Sequence, residues 1–186
     1  MLKKEVRIIA WDDCAFSFGQ ENVMLVGAIF RGASFLDGML STTVEKDGMD
    51  ATQKISASML KSRHYDQLSY VMTDGISFAG LNILDINELH EKTKLPVLAV
   101  IRKRPDRAKF VLAFGKLPGS EMRKKITEKT GEVLKFGEMY YQKAGLDEKE
   151  SEQLLKMTCI RSNLPEPLRV AHLIASGFSG ESKGRA

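Results

Sequence analysis

A mixed α/β architecture, with a five-stranded central sheet and flanking helices, follows from the order of apolar runs along the chain. Three strand-like runs joined by short turns come first, and helix, strand, helix and strand follow. The run Leu95 to Ile101 is continuously apolar without alternation, as a strand covered on both faces should be. With 186 residues and 20.8 kDa, the chain 1–186 has the length of one sizeable domain.

The elements can be placed in order. Val6 to Trp11 is a buried strand ending at Asp12-Asp13. Val23 to Phe30 is the second strand, turned by Arg31-Gly32-Ala33. The third spans about 34 to 46, with the β-branched stretch Thr42-Thr43-Val44, and Asp47-Gly48 breaks it. Asp50 is placed to cap a helix over 51 to 62. Leu68 to Thr73 is a strand ending at Asp74-Gly75, residues 80 to 92 read as helical, and the apolar strand 95 to 101 ends at Arg102. Later come helices over 106 to 116 and 120 to 129, a small accessory hairpin over 132 to 136 and 139 to 143, and helices over 147 to 158 and 166 to 176.

Composition narrows the function classes. Mean hydropathy is -0.20, and no apolar run approaches the roughly 20 residues that cross a bilayer, so no membrane partner is expected. The N-terminal residues lack a signal peptide's apolar core, and two cysteines, Cys14 and Cys159, make no disulfide scaffold. A cytoplasmic location is expected. Net charge is only +4, but Arg102-Lys103-Arg104-Pro105-Asp106-Arg107 and Arg123-Lys124-Lys125 concentrate it. Such runs suit a phosphate backbone, but by charge alone a solvated loop and a solvated helix face are the better reading.

The acids carry the sharper inference. Two hairpins followed by two helical crossovers would leave strands one, three, four and five pointing the same way. Their C-terminal ends then gather Asp12-Asp13, Asp47, Asp74 and Arg102 at one rim of the sheet. Carboxylates from separate strand ends suit Mg²⁺ or Mn²⁺, a metal can orient water against a phosphodiester, and a cation can stabilise the transition state. Alternation sends the neighbouring Asp12 and Asp13 side chains to opposite faces, and Asp12 is favoured as the ligand because a residue at its position can project over the sheet edge. Asp50 suits a cap better than a ligand. In the last helix, Glu166, Arg169, His172 and Ser176 form one polar stripe on an otherwise apolar segment. An ion pair would satisfy Arg169. Alternatively, Arg169 and His172 face the metal rim and contact phosphate or water.

These residues make the sequence resemble the archaeal endonuclease dU family, which is similar to endonuclease V. The segments concerned are Leu36-Asp37-Gly38, Asp47 to Thr52, Asp74 to Asn82, Pro165 to Ile174 and Gly180 to Ala186, so the resemblance covers almost the whole chain. It implies a ribonuclease H-like fold. It also implies a Mg²⁺-dependent endonuclease acting in DNA repair on nucleic acid, most naturally DNA, near a deaminated base such as deoxyuridine. By this resemblance the metal ligands would be Asp12, Asp47 and Asp74, with Asp13 and Asp50 in support. Arg102 would replace a lysine and His172 would serve catalysis. Lys103, Arg104, Arg107, Arg169 and Arg185 would follow the nucleic-acid backbone. The Pro-Tyr-Ile-Pro wedge of endonuclease V has no counterpart, and an aspartate stands where that family has a glutamate. A non-catalytic nucleic-acid-binding protein on the same fold is therefore the alternative.

Overall fold

A computed structural model describes residues 5–178. In chain order its strands and helices are β1 (Arg7–Asp13), β2 (Asn22–Arg31), β3 (Phe35–Glu45), α1 (Ala51–Leu60), β4 (Leu68–Asp74), β5 (Ser77–Phe78), β6 (Asn82–Ile83) and α2 (Ile86–Thr93). Then follow β7 (Val97–Ile101), α3 (Arg107–Ala113), α4 (Ser120–Lys129), β8 (Leu134–Phe136), β9 (Met139–Ala144), α5 (Glu148–Thr158) and α6 (Glu166–Gly177).

Ile8 to Asp12 are all buried, which places β1 inside the sheet rather than at its edge. It pairs antiparallel with β2 and parallel with β4. β2 is antiparallel to β3, and β4 is parallel to β7. β1, β3, β4 and β7 therefore end at a common rim, as their order along the chain implies.

The sheet has seven strands, not five. Its order is β3-β2-β1-β4-β7-β9-β8, because the accessory hairpin joins the main sheet through β9, antiparallel to β7. Val97 to Val100 are fully buried, and a strand so apolar makes a poor edge. Pairing with β9 covers it and leaves the three-residue β8 outermost.

One layer of core lies between the sheet and α1 and α2. It includes Ile9, Trp11, Val71 and Ala99 from the strands and Ile55, Met59 and Leu89 from the helices. On the opposite face Ile8, Ala10, Tyr70, Met72, Leu98 and Val100 pack against Leu154 and Leu155 of α5 and Leu168 and Ala171 of α6. Gly27 lets the Trp11 indole lie against β2; a Cβ there would come within 2.9 Å of the ring.

Helix was expected from residue 80, but α2 begins only at Ile86. The preceding residues form the small β5–β6 hairpin. The start of α2 is set by Asp85, whose carboxylate accepts from Asn87 N and Glu88 N. Asp50 occupies the position before α1, and its carboxylate makes no bond to that helix. Its Oδ1 accepts from Glu45 N at 3.2 Å and from Asn82 Nδ2 at 2.7 Å, while Asn82 Oδ1 takes the Ala51 amide at 3.0 Å. Asn82, fully buried, thus caps α1 from another segment.

Candidate active site

Strand alternation decides which acids meet. Even-numbered residues of β1, β4 and β7, such as Ala10, Met72 and Val100, face α5 and α6. Asp12 and Asp74 continue that parity, and Arg102 follows Val100 by two. Helix α6 lies across β1, β2 and β4. Its buried Ala171 and Ala175 allow close approach, and His172 meets the rim.

His172 Nδ1 lies 2.7 Å from Asp12 Oδ2. Asp12 Oδ1 accepts the Asp13 amide at 2.9 Å, so both oxygens of this buried carboxylate are engaged. Asp74 Oδ2 accepts from Arg102 at 3.1 Å. One ligand atom each from Asp12, Asp74 and His172 lie within 4.8 Å of one another. Bonds of about 2.1–2.4 Å could bring the two carboxylates onto one divalent cation such as Mg²⁺ or Mn²⁺, and the imidazole could join them only in its neutral form.

The electrostatics favour a cation there. Burial, and then the neighbouring Asp12, raise the pKa of Asp74, against the opposing charge of Arg102. The hydrogen bond to Asp12 raises the pKa of His172, opposed by burial. The pKa of the Cys14 thiol is pushed up to about 11 by burial and by Asp13, so Cys14 is a packed, unreactive group.

Asp13 points to the opposite face, where its Oδ2 accepts the Ala79 amide at 2.6 Å. Burial first and Asp12 second raise its pKa from 3.8 to about 6. Between these values the native state holds a proton that the unfolded chain has released. The stability contributed is present at acid pH and is lost as pH rises through 6. Metal-free protein should therefore melt at a lower temperature at pH 7.5 than at pH 5. Asp13→Asn should abolish most of that difference, worth roughly 1–3 kcal/mol. Thermal melts of both proteins at the two pH values in EDTA check this.

Asp47 and Asp50, expected as ligands, are engaged elsewhere. Asp47 takes a left-handed backbone conformation (φ 54°), and its Oδ1 accepts the Leu81 amide at 2.8 Å. The turn after β3 thus aims this carboxylate at the β5–β6 hairpin. A side chain at Gly80, itself at φ +87°, would collide with Asp47 Oδ1. Asp50 is held by Glu45 N and Asn82, as described above.

The basic residues also separate. Lys103 and Arg104 are exposed beyond β7. Arg107 donates to Thr127 O at 3.0 Å. Arg169 does not face the carboxylates: its guanidinium grips Glu166 through two bonds, 2.8 and 2.6 Å long. The stripe on α6 is therefore divided between an internal ion pair and one site histidine. Arg185 lies outside the described residues.

Beside Asp74 opens a largely apolar cavity of about 180 Å³, whose wall includes Ile76, Ser77, Pro105, Arg107, Phe110 and Gln142. Sequence reasoning did not find it. Its wall comes from several separate segments, none carrying a local motif.

The profile of the endonuclease dU family matches residues 4–179. The UPF0215 protein of Methanosarcina acetivorans is 45% identical over 192 aligned positions, covering 100% of this chain and 97% of the relative. The crystal structure of a protein of unknown function from Archaeoglobus fulgidus superposes with a TM-score of 0.87 at 37% identity, covering 92% of this chain and 97% of that one. Endonuclease V of Ciona intestinalis, crystallised with a 24mer DNA containing an inosine followed by a ribo-adenosine, superposes with a TM-score of 0.58 at 11% identity. That match covers 90% of this chain and 83% of the other, and it is a likeness of fold. Among the described residues no helix is long and apolar enough to cross a membrane.

Proposed function

The chain belongs to the endonuclease dU family, and from that membership we propose that it is a divalent-metal-dependent endonuclease that cuts DNA beside a deaminated base. The observation that carries the reading is the meeting of Asp12, Asp74 and His172 at one rim, from elements far apart in the chain. Asp12 and Asp74 would hold Mg²⁺ or Mn²⁺, which when bound supplies Lewis-acid polarisation of the phosphate and a more acidic water. Asp12 fixes the His172 ring through Nδ1 and favours its protonated form. His172 can thus hold or pass a proton at the rim. Arg102, held by Asp74, brings a fixed positive charge to the phosphate as negative charge builds there. Lys103 and Arg104 extend this charge along the backbone.

The cavity beside Asp74 supports the base-directed part of the proposal. It is apolar, sized for a single ring system, and opens next to the centre. Deamination replaces an amino group by a carbonyl. Arg107 and Gln142 each keep N–H donors beyond those given to Thr127 O and Gly131 O, and from these wall side chains such an acceptor could be read; the Ser77 hydroxyl is committed to Gly80 O.

The test is cleavage of uracil- or inosine-containing oligonucleotides against undamaged controls, with Mg²⁺, Mn²⁺ or EDTA. Metal-dependent cuts near the altered base are expected; none with either metal would overturn the proposal. His172→Ala should lower the cleavage rate by about a hundredfold or more while the protein still folds, as read by single-turnover kinetics alongside circular dichroism. Full activity would remove His172 from the chemistry.

One observation favours a non-catalytic nucleic-acid-binding protein instead: the third expected carboxylate, Asp47, is committed to the Leu81 amide. Salt-dependent binding without turnover would select that alternative.

A further inference from the structure

Phe18 is 99% exposed, and Phe16, two residues away, is 36% exposed. Both lie in the connection 14–21 between β1 and β2, which springs directly from Asp13. Phe18 is six residues from Asp12, so the chain holds it within about 20 Å of the candidate centre. The loop is braced. Cys14 N continues the ladder to Met24 O at 2.9 Å, Gln20 N closes a turn on Ser17 O at 3.3 Å, and Gln20 Nε2 donates to Asn22 O at 2.7 Å. Lys46, just beyond β3, places its ammonium 4.8 Å from the centre of the Phe18 ring and 5.7 Å from that of Phe16, and it donates to Phe18 O. The tip therefore presents a bare aromatic ring with a fixed positive charge beside it.

We propose that this loop is a stacking element: Phe18 inserts against the bases of a nucleic-acid duplex at the sheet rim while Lys46 meets the adjacent phosphate. Aromatic stacking on bases and lysine at the backbone are the usual chemistry of such contacts. The immediate neighbours Ser17, Gly19, Gln20 and Glu21 carry no apolar side chain, so Phe18 stands out at the tip while Phe16 lies nearer the base of the loop beside the same Lys46. The layout of the rim agrees. The loop stands at the β1–β2 end, Asp12 and Asp74 come next, and the cavity lies beyond them toward β7. A base displaced into that cavity leaves a gap in its stack, and a ring entering from the loop side can occupy it.

The inference rests on nucleic acid being the substrate, so its test does not use cleavage. A duplex carrying 2-aminopurine beside uracil is titrated in EDTA, with binding followed by anisotropy. Wild-type protein should raise 2-aminopurine emission several-fold, and Phe18→Ala should lose more than half of that rise with an unchanged melting temperature. The chain's single tryptophan, Trp11, is fully buried, so Phe18→Trp supplies a reporter at the tip. Its emission should fall by at least half when duplex binds. Equal 2-aminopurine signals from wild type and Phe18→Ala, or an unquenched indole on bound duplex, would overturn the proposal. A dimer that depends on Phe18 and leaves duplex opening unaffected would do the same. Ring-dependent opening in EDTA together with no cleavage when Mg²⁺ or Mn²⁺ is added would defeat the nuclease reading alone, metal-dependent cleavage with Phe18-independent opening would defeat this inference alone, and absence of any nucleic-acid binding would defeat both.

Discussion

Asp74→Asn is expected to reduce metal-dependent cleavage by at least about a hundredfold while stabilising the metal-free protein. The two effects share one cause. Asp74 carries a carboxylate whose ionisation is opposed by burial and by Asp12. Without a cation, the native state at neutral pH bears that repulsion, and a neutral amide of the same shape removes it. On the proposed reading, the same negative charge would hold the metal, and the amide would be a weaker ligand. Arg102 keeps an acceptor in either case, since the asparagine side chain retains a carbonyl oxygen. Single-turnover cleavage measures the first effect, and thermal melts in EDTA and in Mn²⁺ measure the second. Wild-type protein should gain more from Mn²⁺ than the variant does. Full cleavage by Asp74→Asn, or equal stabilisation of both proteins by metal, would place the ion elsewhere.

Arg123→Met should cost about 3–5 kcal/mol of stability, the largest structural effect expected of a single substitution here. Arg123 is 1% exposed. Its guanidinium donates to Leu81 O at 2.8 Å, Gly48 O at 2.9 Å, Asp47 O and Pro118 O. It thereby ties the turn after β3, the β5–β6 hairpin and the start of α4 together. A methionine fills similar volume but leaves these carbonyls without that donor, and unsatisfied buried carbonyls are costly. Urea denaturation should show the loss as a lower midpoint at constant slope. Arg123→Lys should recover only part of it, because an ammonium has three donors and no planar fork. A change below 1 kcal/mol for Arg123→Met would mean that the loops hold together without the guanidinium.

Arg123 also shows where sequence reading runs out. In the run Arg123-Lys124-Lys125 the three cations look alike, yet one is core and Lys124 pairs with Glu121 at the surface. Charge order along a helix cannot reveal which member finds four carbonyls, three of them from loops far away in the chain. The sheet rim was more legible, because strand direction follows from connection type and side-chain direction from alternation. Those two rules account for Asp12, Asp74 and Arg102 sharing a face and for Asp13 lying opposite. They do not reach Asp47, whose direction depends on one left-handed backbone angle after the strand ends. The extension of the sheet by β9 was hidden for a similar reason: a short run over 139 to 143 shows strand character, while its partner is decided by which apolar edge needs cover. The histidine was visible as part of a polar stripe, but only tertiary packing separates His172 at the rim from Arg169 in its pair with Glu166.

The position of His172 on α6 has a consequence for biosynthesis. The two aspartates emerge from the ribosome early, on β1 and β4, whereas their imidazole neighbour is made almost a hundred residues after Asp74. Until α6 has been synthesised and has settled across β1 and β2, a nascent polypeptide carries acids without the ring that Asp12 orients. On the proposed reading, competence would thus wait for α6, and fragments truncated before residue 172 should cut no DNA even where their sheet has begun to form.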